Sequence, residues 1–96
     1  MEFVGLLSEN REAILQLAAQ HGAANVRVFG SMAREDATPG SDVDFLVDME
    51  ADRSLPDLVG LWQDLEDLLG QSVDVISEGG MSPYLRDKIL AEAVPL

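Results

Sequence analysis

Asp42 and Asp44 are separated by one apolar residue, Val43, at the entrance of a stretch running Val43-Asp44-Phe45-Leu46-Val47 that has the alternation of a strand. Alternate strand residues point to one face, so the two carboxylates project together with their Cα atoms roughly 6.5 Å apart. Like charges so placed repel one another and lose hydration as a sheet packs, unless something positive lies between them. A hard divalent cation with oxygen ligands meets that need. A third acid, Asp74, lies in a short apolar run where Val73 and Val75 take one face and Asp74 shares the other with Ile76. Three carboxylates on adjacent strand ends can hold two Mg²⁺ ions roughly 4 Å apart, one activating a hydroxyl and one bridging the phosphates of a nucleotide. Each acid also has an ordinary reading: Ser41-Asp42 capping a turn, Asp44 facing solvent, Asp74 at a sheet edge.

Upstream of the acid pair, an apolar strand over Ala24 to Phe29 runs into Gly30 and Ser31. Met32 to Glu35 can make one helical turn whose free N–H groups, with the Ser31 hydroxyl, face back toward the strand end and suit an anion. A Gly-Ser pair is equally common in plain turns; its place between a strand and paired acids is what raises it. Arg34 is either a clamp on a phosphate or the partner of Glu35, Asp36 or another neighbouring acid. His21 reads as a helix-terminal residue favoured by the helix dipole. As the sole histidine it excludes a histidine-based metal cluster.

Composition narrows the field. The chain has 96 residues, enough for one domain over 1–96, with 47% hydrophobic residues and no cysteine, so any metal must be held by oxygen ligands. Eighteen acids against six Lys and Arg give a formal charge of -12. Nucleic-acid binding draws much of its affinity from basic groups on phosphates, which argues against long DNA or RNA as a direct substrate. A basic protein partner or a metal-neutralised small phosphate remains compatible. The apolar runs are too short to cross a bilayer and no signal peptide is evident, so a cytoplasmic, non-membrane location is expected.

The elements that must position these residues follow from periodicity and punctuation. A helix is expected over Glu9 to Gln20, opened by Ser8 and closed by Gly22, with Ile14, Leu17, Ala18 and the stem of Gln20 inward. Strands follow over Ala24 to Phe29 and Asp42 to Met49, with a loop over Asp36 to Ser41 that contains Pro39 and Gly40. The strongest apolar stripe is Leu58, Leu61, Trp62, Leu65, Leu68 and Leu69, on a helix over Leu55 to Leu69 with Ser54 and Asp57 in capping-box spacing and Gly70 as its stop. A strand over Ser72 to Ile76 and a final helix from Ser82-Pro83, with Leu85, Ile89, Leu90 and Ala93 inward and Tyr84, Arg86 and Lys88 on the polar side, complete the chain. The pattern predicts an α+β fold: a small mixed sheet of three or more strands with helices packed on one face.

Gly30-Ser31, ten intervening residues and Asp42-Val43-Asp44 resemble the signature of polymerase-β-type nucleotidyltransferases, and the short chain resembles their minimal members, the antitoxin halves of HEPN/MNT pairs. The order of elements matches along nearly the whole chain, and Arg34 falls where the family is often basic. The resemblance implies a polymerase-β-like core. It also implies transfer of AMP from ATP, with Mg²⁺, to a tyrosine hydroxyl of a HEPN ribonuclease toxin held in a hetero-oligomer. On that basis Asp42 and Asp44 bind metal, Asp74 is general base or metal ligand, and Gly30, Ser31 and Arg34 hold the phosphates. Three rival readings stand beside it: an antitoxin that neutralises by binding alone, a transferase acting on a small molecule, and an acidic structural domain.

Overall fold

In the chain's computed structural model the residues described are 2–34, 36, 38 and 40–96, with side chains from residue 5 onward. The expected stops at Glu35 and Pro39 lie outside the described residues. The organising helix is α4 (Leu55–Leu69), which buries Leu61, Leu65 and Leu69 while Leu58, Trp62 and Leu68 pack at the margin. Its start is the capping box read from the sequence, with Ser54 N donating to Asp57 Oδ2 at 2.9 Å. Its end is Gly70, left-handed at φ 69°.

The amino-terminal region differs from expectation. A single helix opened by Ser8 is replaced by two, α1 (Glu2–Glu9) and α2 (Arg11–Gln20), with Ser8 inside α1. The break falls at Asn10, whose Nδ2 and backbone N both donate to Leu6 O, at 2.8 and 3.2 Å. Ile14 and Ala18 of α2 are buried, Leu17 packs at the core margin, and Gln20 stays exposed. His21 has a structural role: its Nε2 lies 2.7 Å from Asp64 Oδ2, tying the end of α2 to α4.

The remaining elements are β1 (Ala23–Phe29), α3 (Ser31–Arg34), β2 (Val43–Met49), β3 (Val73–Ser77), α5 (Pro83–Glu92) and β4 (Val94–Pro95), with a 3₁₀ turn over Glu78–Gly80. Among the described residues the strands form a four-stranded sheet in the order β3-β2-β1-β4. β1 is antiparallel to β2 and β4, whereas β2 and β3 are parallel, joined by the α4 crossover. β4 is too short to be read from a sequence pattern. Asn25, at φ 52°, marks a bulge in β1 between Ala24 and Arg27, where the register shifts.

Val43, Phe45, Val47, Val73 and Val75 face α2 and α4 and form the main core with Val26 and Val28. The opposite face is partly covered as well: Ile89 of α5 is buried on Phe29 and Leu46, with Ile76, Met81, Leu90 and Ala93 around it. Leu85, expected inward, is 54% exposed, because α5 touches the sheet mainly through its last turns. At the far end of this face Arg27, 11% exposed, pairs with Asp48 at 2.8 Å and Glu78 at 3.5 Å. That cation accounts for Asp48, which shares a face with Asp44 but has a partner of its own.

Candidate active site

The sheet register places the acids. Asp44 of β2 is directly opposite Asp74 of β3 on one side and Phe29 of β1 on the other. Asp42 precedes β2 rather than forming its first residue, and is exposed. The turn before it is closed by Ser41, whose Oγ accepts from Thr38 N at 2.9 Å, so Asp42 is not needed as the cap. Among the described residues none of Asp42, Asp44 and Asp74 accepts a hydrogen bond or pairs with a cation through its side chain.

Electrostatics follow from that arrangement. Partial burial first, and then the charges of Asp74, Asp42 and Glu92, push the Asp44 carboxyl up from 3.8 to about 6. Arg34 offsets this only slightly. A carboxylate raised by like charges is a place where a cation would be stabilising. Among the described residues no three acids or histidines are drawn together as a preformed metal cage.

Gly30 connects the acids to the anion side of the site. It follows β1 at φ 73°, a left-handed conformation that side chains disfavour. A Cβ there would run into Asp44, whose Oδ2 lies nearest and whose Cγ would be 3.2 Å away. The glycine is thus what lets the Asp44 carboxylate lie against the turn. Ser31 then starts α3, with Arg34 N donating to Gly30 O at 3.0 Å. A set of hard carboxylate oxygens beside a backbone N–H and a guanidinium fits a divalent cation carrying a phosphate chain.

Of the two readings made of Arg34, the ion pair is the one observed. Its Nε donates to Asp36 at 3.2 Å and its Nη1 to Glu92 at 3.2 Å, and Asp36 first, with Glu92, raises its pKa. It is an ion-pair partner that also stands beside the acids; the pairing with Glu35 lies outside the described residues. Glu92 is the residue the sequence did not offer. It belongs to the site through Gly30 N, 2.8 Å from its Oε1, yet lies 62 positions away in a helix with no local motif.

Comparison with known proteins agrees with this fold. The sequence model described as "Nucleotidyltransferase domain" matches residues 7–96. A relative from Methanocaldococcus jannaschii, named "Putative protein adenylyltransferase MJ0435", is 40% identical over 92% of this chain and 95% of its own. "Protein adenylyltransferase MntA" of Thermococcus cleftensis is 36% identical over 93% of this chain and 95% of its own. The solved "Structure of putative minimal nucleotidyltransferase" superposes with a TM-score of 0.85 at 52% identity, covering 94% of this chain and 92% of that one. A toxin–antitoxin crystal structure with AMP-PNP shares the fold, with a TM-score of 0.78 at 20% identity over 90% of this chain and 71% of that one. The chain belongs to the nucleotidyltransferase domain family, as one of its minimal members.

Proposed function

We propose that this enzyme transfers AMP from ATP, with Mg²⁺, to a tyrosine hydroxyl of a HEPN-type ribonuclease toxin and thereby neutralises it. The observation that carries the reading is the in-register pair Asp44 and Asp74, with Asp44 against Gly30 and neither acid given a cationic side-chain partner among the described residues. Support for the adenylyl group and for a protein acceptor comes from the relatives named protein adenylyltransferases. Support for a toxin partner comes from the shared fold of the toxin–antitoxin structure. A cytoplasmic setting accords with the described helices, none of which is long and apolar enough to cross a membrane.

In this reading Asp42 and Asp44 hold Mg²⁺, in the form of two ions, with Asp74 adjoining as ligand or base. Bound Mg²⁺ would neutralise phosphate charge and stabilise the charge that develops at phosphorus. Gly30 N–H, the Ser31 hydroxyl and Arg34 take the outer phosphates. The acceptor oxygen forms a bond to the α-phosphorus, the bond from that phosphorus to the oxygen bridging the β-phosphate breaks, and pyrophosphate leaves. In this reading Asp74 receives the phenolic proton. The charge of -12 bears on the partner, since a basic protein surface is attracted where a nucleic acid is repelled.

Incubation of the chain with ATP, MgCl₂ and the product of a neighbouring toxin gene, read by peptide mass spectrometry, tests this. The expected result is one or more adenylyl groups on a partner tyrosine, abolished by Asp42→Asn with Asp44→Asn. Full neutralisation by that double variant, with the partner unmodified, would replace transfer by binding alone.

A further inference from the structure

Glu92 closes α5, but its carboxylate bonds to the turn ahead of α3. Its Oε1 accepts from Gly30 N at 2.8 Å, and Oε1 and Oε2 lie 3.3 and 3.2 Å from Arg34 Nη1. A backbone N–H and a guanidinium converging on one two-oxygen anion make the arrangement proteins use to hold phosphate. The contact is sheltered on the glutamate side, where the side chain is 25% exposed, and open on the arginine side, at 51%. It is also placed against the local field, since Glu92 adds negative charge beside Asp44. A carboxylate that sits in an already acidic corner must be held there by donors that favour an anion.

We propose that Glu92 is a built-in anion occupying the seat of the nucleotide's outer phosphates, so that a nucleotide binds only by displacing it from Gly30 and Arg34. This rests on the nucleotide reading above and adds to it a competitor supplied by the chain itself. Displacement requires only that the glutamate change rotamer. The backbone can remain in place, because Ala93 N bonds Ile89 O at 2.9 Å and Val94–Pro95 stay paired with Val28 and Arg27. Arg34 keeps Asp36 as a second partner and so remains beside the site in both states.

Calorimetric titration of AMP-PNP with excess MgCl₂ into the wild type, Glu92→Gln, Arg34→Ala and the double variant tests the competition. Glu92→Gln is expected to tighten binding about tenfold, or ~1.4 kcal/mol. Most of that gain should vanish in the Arg34→Ala background, where one of the contested donors is gone. A gain of the same size in both backgrounds would reduce Glu92 to general charge repulsion and overturn the proposal. Wild-type binding with no gain in Glu92→Gln overturns it alone, whereas no binding by either protein overturns the nucleotide reading with it. Thermal unfolding reports whether each variant is folded; Glu92→Asp, too short to reach Gly30 N, gives a second variant in which tighter binding is expected.

Discussion

Asp44 and Asp74 are register partners on adjacent parallel strands, and the carboxyl of Asp44 also lies against Gly30 across the turn from β1. A pair of acids in that position is a liability to the fold and an asset to a metal-nucleotide site. The consequences of that opposition can be measured separately.

Removing the Asp44 charge should separate stability from activity. Asp44→Asn relieves repulsion with Asp74, Asp42 and Glu92, so the thermal midpoint in metal-free buffer is expected to rise by about 2 °C once solvent screening of a half-exposed group is allowed for. Adenylyl transfer should fall by roughly 10³-fold, as for loss of a group that stabilises transition-state charge. A variant that is less stable, or still active, would contradict this.

The pH dependence has a defined sign. Asp44 has a folded pKa of about 6, raised from 3.8, so the folded state binds the extra proton more readily than the unfolded chain. Its ionisation penalty is fully present above about pH 6 and is relieved as the pH falls from there toward 3.8. In metal-free buffer the Asp44 contribution should therefore grow more favourable over that interval, seen as the difference between wild type and Asp44→Asn in urea unfolding. Mg²⁺ binding should weaken over the same interval, because proton and metal compete for one carboxylate.

Gly30→Ala should fail for two reasons at once. The backbone is at φ 73° and the added methyl group meets the Asp44 carboxylate. A loss of about 1–2 kcal/mol in denaturant unfolding is expected, with nucleotide binding abolished. A stable, active alanine variant would show that the turn has another conformation.

Arg27 tests the far end of the same face. It is 11% exposed and holds Asp48 and Glu78, so Arg27→Ala leaves Asp48 without its cation, while Glu78 keeps Arg86 at 3.4 Å. Destabilisation of about 2–3 kcal/mol is expected in urea unfolding, with transfer per folded molecule unchanged.

What the sequence could disclose depended on the range of the forces involved. Alternation in β2 and β3 and the leucine stripe of α4 are local, and they predicted the strands, their faces and the helix between them. The Gly30-Ser31 turn was legible for the same reason, since a left-handed residue after a strand leaves few choices. The Asn10 break was hidden because no Gly or Pro marks it, and Asn10 still donates to Leu6 O through its backbone N as well as its side chain. Leu85 misled because α5 is amphipathic only near its end, where Ile89 reaches Phe29 and Leu46. Glu92 was not visible at all, since its role depends on α5 and β4 folding back against β1, a contact made 62 positions away.

The proposed transfer requires that Asp42, Asp44 and Asp74 together hold divalent metal beside the Gly30-Ser31 turn. Crystals grown with Mn²⁺ and AMP-PNP, examined by anomalous diffraction at the manganese edge, address it directly. Manganese density is expected in contact with the carboxylates of Asp42 and Asp44, with Asp74 adjoining it and the outer phosphates on Gly30 N and Arg34. Bound nucleotide with its metal away from these three acids, or saturating Mn²⁺ with no density among them, would contradict it.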